Sequence, residues 1–190
     1  MKKYEFTGET KQVELLSRTA TLHRIRAVAG FGIIKIGDLG GWIEKEENLS
    51  HEGMAWVYGN AKVCGDAEVC GNAKVCGDAE VYGNAEVYGN AEVCGNAKVY
   101  GDAEVFSASH VLVIGAIGSR NDFTTFFRDK DNEITVKCGC FLGKIDKFLK
   151  KVTATHGDSK YALIYRAAVE VARLQIDLVS DVDKYEEVGK

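Results

Sequence analysis

The hydrophobic pattern of residues 57–104 repeats every six residues. The units read VYGNAK, VCGDAE, VCGNAK, VCGDAE, VYGNAE, VYGNAE, VCGNAK and VYGDAE, and Val105 begins a ninth. In an extended chain, residues two apart share a face, so the Ala of one unit and the Val of the next, such as Ala61 and Val63, point the same way. The charged residue between them and the Tyr or Cys after them point the other way.

The rest of each unit is a Gly-Asn or Gly-Asp pair, which favours a turn because these residues best tolerate left-handed backbone. Each unit therefore predicts a short strand followed by a corner. A unit this small cannot bury its own apolar face, so the units must stack into a coil. We expect Val inside the coil, Ala in the tight space near each corner, and the charges outside.

The unit VCGDAE at residues 63–68, with its neighbours, resembles the hexapeptide-repeat family. The resemblance implies a mainly β fold, a left-handed parallel β-helix in which three units make one triangular coil. Residues eighteen apart should then stack on the same face, roughly 4.8 Å apart.

This spacing predicts three rows of outward side chains. The rows are Cys64, Tyr82 and Tyr100 beside Lys62, Glu80 and Lys98; Cys70, Tyr88 and Phe106 beside Glu68, Glu86 and Glu104; and Tyr58, Cys76 and Cys94 beside Trp56, Lys74 and Glu92. The first row of charges alternates in sign, whereas the second stacks like charges that repel. The acidic row is either a solvated face or a contact for another subunit or a basic partner.

Residues 1–106 are predicted to form the β-helix with an atypical N-terminal cap. Residues 1–35 are β-rich in pattern, and Ile36, Ile43, Leu49 and Val57 recur at intervals of six to eight, as in a degenerate coil. The run GDLGGWIEKEENLSHEG, followed by WVYGNAKV, resembles the N-terminal signature of hexapeptide-repeat proteins common in phages and prophages. Some bacterial relatives of that group carry an acyltransferase label.

Residues 107–180 predict a small α+β domain, followed by a tail at 181–190. A strand at 111–117 precedes a hairpin whose strands, 123–127 and 133–141, flank the polar turn 129–132. Two helices follow. The apolar positions of the first are Ile145, Phe148, Leu149 and Val152, and those of the second are Ala162, Tyr165, Val169, Ala172, Ile176 and Val179. The second set either packs on the small sheet or self-associates between subunits. The segments GSRND, TTFF, CGCFLG and THGDSK resemble a C-terminal module of phage proteins with no established activity.

Composition is that of a globular protein: 190 residues, 46% hydrophobic, 27% charged and a net charge of −4. The negative net charge predicts no general nucleic-acid binding. The longest apolar run, 111–117, is too short to span a bilayer, and the N-terminus lacks the apolar stretch of a signal peptide. We expect no membrane association and a cytoplasmic location, which is the host cytoplasm if a phage encodes the chain.

Six cysteines raise the question of metal binding. Cys64, Cys70, Cys76 and Cys94 occupy outward repeat positions, and their spacing matches no zinc motif. We expect them to be reduced, although Cys76 and Cys94 can approach each other on one face. Cys138 and Cys140 would share a strand face, but two thiolates do not complete a metal site. No metal and no cofactor are predicted.

An acyltransferase using CoA is one functional hypothesis, because hexapeptide-repeat acyltransferases typically use a His as general base. No His lies within 57–104. Only His51 and His110 lie near the ends of the stack, where a base could reach a substrate. No catalytic residue is therefore predicted.

The C-terminal domain offers a second kind of site, because Gly-containing turns near helix starts present free backbone N–H groups to anions. The alternative interpretation is structural glycines and solvated cations. The candidate anion-binding residues are Gly118, Ser119, Arg120, Thr124, Thr125, Gly143, Lys144, His156 and Lys160.

The function predicted from these features is that of a non-enzymatic, oligomeric phage-type binding protein. Such a protein could act in counter-defence by sequestering a host immune signalling nucleotide or by blocking a defence protein. The habit of the resembled family favours a homotrimer. The acyltransferase and a purely structural assembly module are the alternatives.

Overall fold

The computed structural model describes residues 2–15 and 18–178. It begins with an antiparallel hairpin of strands β1 (Tyr4–Glu14) and β2 (Thr19–Ala27). Strand β3 (Leu39–Ile43) pairs antiparallel with β2 on one side and parallel with the first repeats on the other. The predicted β-rich N-terminus is therefore confirmed, and it is continuous with the repeat region through one sheet.

The repeat region forms a three-sided parallel β-solenoid. Its strands are β4 (Trp56–Val57), β5 (Lys62–Val63), β6 (Glu68–Val69), β7 (Lys74–Val75), β8 (Glu80–Val81), β9 (Glu86–Val87), β10 (Glu92–Val93), β11 (Lys98–Val99) and β12 (Glu104–Val105). Every third strand joins the same sheet, which gives a six-stranded face β1-β2-β3-β5-β8-β11 and the three-stranded faces β4-β7-β10 and β6-β9-β12. The predicted parallel coil is confirmed.

The eighteen-residue register is confirmed by the strand pairing. Lys62 pairs with Glu80, and Glu80 pairs with Lys98. The Ala and Val positions of the repeats point inward, and none is more than 2% exposed. The solenoid core is therefore a stack of small side chains, with the charges outside as predicted.

The outward rows also stack as predicted. The Tyr82 and Tyr100 rings lie 4.9 Å apart and nearly parallel. In the acidic row, Glu104 is neutralised because Arg128 Nη1 lies 2.9 Å from Glu104 Oε2, and Arg128 is buried. Glu68 and Glu86 remain exposed, which agrees with the solvated-face interpretation in the isolated chain.

The N-terminal segment covers the first rung, and this corrects two expectations. Trp56 pairs with Lys74 in the outward row as predicted, but it is not at the surface: it is 1% exposed because Tyr4 and Phe31 pack edge-on against its ring. Ile36 was predicted to be a coil position, but it lies in a turn and is 74% exposed. Both differences arise from the N-terminal cap, which covers Trp56 and places Ile36 outside the coil.

The C-terminal sheet closes the last rung. Its strands are β13 (Val111–Ile117), β14 (Asp122–Arg128), β15 (Ile134–Cys138) and β16 (Phe141–Lys144), arranged as an antiparallel meander. Phe127 joins the solenoid core, and Lys130 N donates to Asp102 O at 3.1 Å. The predicted strand 133–141 is in fact two strands, because Gly139 adopts a positive φ and turns the chain.

Two helices cover the far face of this sheet. They are α1 (Ile145–His156) and α2 (Lys160–Gln175), separated by a turn in which Gly157 has a positive φ. The predicted seam on α2 packs on α1 and the sheet, with Ala162, Val169 and Ala172 fully buried. The seam is therefore buried within the chain, as the packing interpretation predicts. Val179 and the tail 181–190 lie outside the described residues.

The cysteines depart from expectation in three places. Cys76 and Cys94 form a disulfide, because the eighteen-residue register brings their Cα atoms to 4.5 Å. Cys64 points outward from the solenoid but is fully buried under the N-terminal hairpin. Cys138 and Cys140 do not share a strand face, since Cys140 lies in the turn between β15 and β16.

Corner glycines differ in what lies above them, which allows a matched pair of variants. Gly77 and Gly95 have the same φ of 70°, but a Cβ on Gly77 would lie 3.0 Å from the Gly95 backbone, whereas a Cβ on Gly95 meets nothing within 4 Å. We expect Gly95→Ala to cost about 1–2 kcal/mol from backbone strain alone. Gly77→Ala should cost at least about 1 kcal/mol more from overpacking. Urea denaturation measures both, and equal losses would contradict rung-on-rung contact at the corners.

The disulfide predicts the number of free thiols. Chain purified without reductant and unfolded before titration should show four thiols from its six cysteines. The Cys94→Ser variant should show one more thiol than the parent, because Cys76 is released. A parent that already titrates all six would show that this pair stays reduced.

Candidate functional site

The hairpin of β15 and β16 separates two cavities. Lys137 pairs with Leu142, and Cys138 pairs with Phe141. Since neighbouring residues on a strand point to opposite faces, the first pair faces one cavity and the second pair faces the other. We call the cavity beneath the helices the helix pocket and the one beside the solenoid the solenoid groove.

The helix pocket has a volume of about 140 Å³ and lies between the end of the sheet and α1 and α2. Its floor is apolar, and its rim carries hydroxyl, thiol and basic groups. The lining residues are Ser119, Arg120, Cys138, Cys140, Phe141, Phe148, Lys151, Val152, Thr155, His156 and Tyr165.

Among the described residues, the Lys and Arg side chains that line the helix pocket are not accompanied by a carboxylate. Arg120, Lys151 and His156 line the pocket, and no Asp or Glu is among the described residues that do so. In the part of the chain that the structure describes, neither Arg120 nor Lys151 forms a salt bridge. The pocket is therefore suited to a negatively charged group.

Tyr165 forms the inner wall of the helix pocket. Its ring centroid lies 5.8 Å from that of His156 and 5.6 Å from that of Phe148. Burial, followed by the neighbouring Cys138, raises the pKa of Tyr165, so its hydroxyl stays protonated. Gly118 permits this arrangement, because a Cβ there would lie 2.0 Å from the Tyr165 hydroxyl oxygen.

The structure brings together three of the predicted site residues: Ser119, Arg120 and His156 all line the helix pocket. Ser119 and Arg120 lie in the turn after β13, and His156 is the last residue of α1. Gly118 contributes indirectly by admitting Tyr165. Ser119 and Arg120 thus lie in the same pocket as His156, although about forty residues separate them from it in sequence.

The other predicted residues lie elsewhere. Thr124 and Thr125 are buried in β14, where Thr124 donates to Cys138 Sγ and Thr125 Oγ1 accepts from Lys98 N. Lys160 lies over the Tyr161 ring, and it is not among the residues that line the pocket. Gly143 lies within β16.

Lys144 already has anionic partners within the chain. Its Nζ lies 2.7 Å from Asp129 Oδ2, 3.2 Å from Asp131 Oδ2 and 2.7 Å from Glu133 Oε2. Burial opposes the charged form, but these three carboxylates raise the pKa of Lys144. The start of α1 is therefore occupied by an internal ion cluster.

Sequence reasoning missed most of the residues that line the pocket. Phe148, Lys151 and Thr155 follow one another at intervals of three and four along α1, so they lie on one helix face. That spacing was available as a signal, but the helix was interpreted only through its apolar positions. The contribution of Tyr165 was also hidden, because its position fits the apolar seam.

The solenoid groove has a volume of about 620 Å³ and lies among three distant parts of the chain. The tip of the β1–β2 hairpin, the solenoid corner and the β15–β16 hairpin form its walls. The lining residues are Glu14, Leu15, Arg18, Gly65, Tyr82, Gly83, Tyr100, Gly101, Lys137 and Leu142. No local pattern predicts it, because it exists only when the two ends of the chain meet the repeats.

The histidines near the ends of the stack are engaged in internal contacts. His51 Nδ1 accepts from Lys3 N at 3.2 Å, and its ring stacks on Tyr4. His110 is 2% exposed, and its Nδ1 accepts from Phe106 N at 3.4 Å. Burial, followed by the charge of Arg128, lowers the pKa of His110 to about 4.

Comparisons with protein-family models and with characterised proteins found no match for this chain. Among residues 2–15 and 18–178, no helix is long and apolar enough to cross a membrane. Within those same residues, no group of three or more His, Cys, Asp and Glu side chains could hold a metal ion.

Burial of His110 predicts a pH dependence of stability. Its folded pKa lies below the ordinary value of 6.5, so the unfolded chain binds the proton more readily. The stability contributed by neutral His110 is present above about pH 6.5 and is lost as the pH falls towards 4, by roughly 3 kcal/mol in total. Urea denaturation across this range should show a flatter pH dependence in His110→Gln than in the parent. The neighbouring Ser109→Ala variant should keep the parent's slope, and identical slopes in all three proteins would contradict the assignment.

Proposed function

We propose that the chain is a non-enzymatic binding protein that holds a small anionic ligand in the helix pocket. The observation that supports this most is the convergence of Arg120, Lys151 and His156 on one cavity without an accompanying carboxylate. A charge-assisted hydrogen bond to a phosphate or carboxylate is among the stronger polar contacts.

The size and the floor of the helix pocket define the ligand further. A volume of about 140 Å³ is below the range of a site that encloses a whole small molecule. It suits one phosphate group or one flat ring, with the rest of the ligand outside the mouth. Phe141 and Phe148 offer an apolar surface beside the basic rim, so the combination favours a nucleotide over a simple carboxylate.

The biological role that we propose is sequestration of a host signalling nucleotide by an oligomeric phage-type protein. Its support is the resemblance of residues 37–60 and of the C-terminal segments to phage proteins, together with the rigid solenoid as a scaffold. Blocking a host defence protein is the other form of this proposal, and a purely structural assembly module is an alternative to it. Acyl transfer is disfavoured, because the Nδ1 atoms of His51 and His110 accept backbone hydrogen bonds.

The experiment is calorimetric titration of the full chain with ADP-ribose, with cyclic dinucleotides and with acetyl-CoA. Lys151→Gln should weaken binding of the nucleotide ligand by about tenfold, the loss typical of a charged hydrogen bond. Lys150→Gln is the matched control, because it removes the same charge from the adjacent exposed position, which does not line the pocket. Arg120→Gln should weaken binding in the same way.

Three outcomes would contradict the proposal. One is an equal effect of the Lys150 and Lys151 variants, which would indicate general electrostatics. Another is the absence of binding by every probe to the parent. The third is recovery of ligand that has been chemically altered, which would indicate an enzyme.

A further inference from the structure

A row of charged side chains crosses the outer surface of the six-stranded face. Strand pairing places Arg24 opposite Trp42, Trp42 opposite Lys62, Lys62 opposite Glu80, and Glu80 opposite Lys98. Five strands thus contribute one residue each to a straight line. At about 4.8 Å per strand, the row is roughly 19 Å long.

Two further lysines extend the positive charge of this row. Lys11 Nζ lies 4.1 Å from the centroid of the Trp42 ring, and the guanidinium carbon of Arg24 lies 5.3 Å from it. At the other end, Lys137 Nζ lies 5.0 Å from the centroid of the Tyr100 ring. Burial, followed by the charge of Lys98, lowers the pKa of Lys137, which shows that these two lysines influence each other. We call Lys11, Arg24, Lys62, Lys98 and Lys137 the cationic row.

Glu80 is the one carboxylate within the cationic row of five positive charges, and the Asp78 carboxylate also acts on Lys11. Glu80 is bound by Lys62 Nζ at 3.0 Å and by the Tyr100 hydroxyl at 2.5 Å. Among the described residues, the other four cations form no salt bridge. This surface is therefore locally positive in a chain whose net charge is −4.

These positive charges are also partly removed from water. All five cations are half-buried. Burial, followed by the charges of Lys62 and Arg24, lowers the pKa of Lys11 to about 8. In the described part of the chain, two buried donors of the row, Arg24 Nε and Trp42 Nε1, have no hydrogen-bond partner. Unpaired cations and unsatisfied donors in one place are costly unless a partner relieves them.

The other solenoid faces do not share this imbalance. At the equivalent repeat position of the face β4-β7-β10, Lys74 pairs with Glu92 at 2.7 Å and both side chains are about half exposed. On the face β6-β9-β12 the position is occupied by Glu68, Glu86 and Glu104. The cationic row is therefore a property of one face and does not follow from the repeat as such.

An aromatic line runs parallel to the cationic row. Tyr82 and Tyr100 lie two residues along the chain from Glu80 and Lys98, which is a separation of about 7 Å on an extended strand. The two rings stack on each other and line the solenoid groove, which Leu15 and Leu142 flank. A charge line and an aromatic line thus run side by side down the solenoid, and they meet where Lys137 lies over the Tyr100 ring in the solenoid groove.

We propose that this face binds single-stranded nucleic acid, with phosphates along the cationic row and bases in the solenoid groove, in contrast to the prediction from the net charge of −4 alone. A single strand carries its charge on one edge and its flat apolar groups on the other, in the same order as this surface. An acidic peptide alternates its side chains between two sides, so it matches parallel lines less well. A duplex turns its bases inward and cannot use the groove.

The test is fluorescence anisotropy of the full chain with a labelled oligo-dT strand of about 12 nucleotides. Three to five phosphate contacts predict that log affinity falls against log salt concentration with a slope of about −2 to −3.5. Lys11→Gln combined with Lys98→Gln should weaken binding about tenfold or more and make the slope shallower by about 1.4. Neither lysine forms a salt bridge in the described chain, so the variant breaks no ion pair.

Lys74→Gln is the matched control, since it makes the same change at the same repeat position on another face. It should leave binding and slope as in the parent. The proposal would be overturned if Lys74→Gln weakened oligo-dT binding as much as the double variant does per substituted lysine. Tighter binding of a duplex or of polyglutamate than of oligo-dT would also overturn it. The absence of any anisotropy change at about 100 µM chain in about 50 mM salt would also overturn it.

The proposal for the cationic row and the proposal for the helix pocket can be tested independently of each other. Lys151→Gln should leave oligo-dT binding unchanged, because Lys151 lies on the helix side of the β15–β16 hairpin. The Lys11 and Lys98 double variant should in turn leave ADP-ribose titrations unchanged. An effect of either variant on both ligands would overturn the assignment of two sites.

Discussion

The structure depends on the backbone hydrogen bonds that join each rung to the next in an eighteen-residue register. Lys62 N donates to Ala79 O at 2.9 Å, Cys64 N donates to Val81 O at 3.1 Å, and the same pattern recurs from rung to rung. Because the register never slips, each position stacks on the same kind of residue. The interior must then be uniformly small, and any side chain that points outward becomes part of a row.

A stack of this kind leaves two open ends, which the repeats cannot close. At the first rung, the side chain of Lys3 is almost completely buried, and its Nζ donates to Ala55 O at 2.8 Å. Burial lowers the pKa of Lys3 to about 8. At the last rung, Phe127 completes the core. The segments that close the ends also project beyond the solenoid, and it is their hairpins that form the walls of the solenoid groove. The same two segments therefore cap the solenoid and form the groove.

The repeat made the solenoid predictable, since its period alone specifies which residues stack. Prediction failed where a segment outside the repeat covers a repeat position, as Tyr4 and Phe31 cover Trp56. For the candidate site, local patterns identified Ser119, Arg120 and His156 but placed Lys144 with them, because its three carboxylate partners arrive through the turn after β14. The cavities themselves could not be predicted, because each requires the relative placement of elements far apart in sequence.

The β15–β16 hairpin is a single layer of sheet, and the two proposed sites lie on its opposite faces. Lys137 belongs to the solenoid groove and Cys138 to the helix pocket, although the two are adjacent in sequence. Their side chains leave opposite faces of the same strand, so a ligand on one face contacts none of the side chains on the other. The geometry therefore allows the two proposed sites, a pocket for one phosphate and a surface for a polyanion, to lie on opposite faces of one hairpin. The two sets of cations also differ in their contact with water, since Arg120 and Lys151 are exposed whereas the five residues of the cationic row are half-buried.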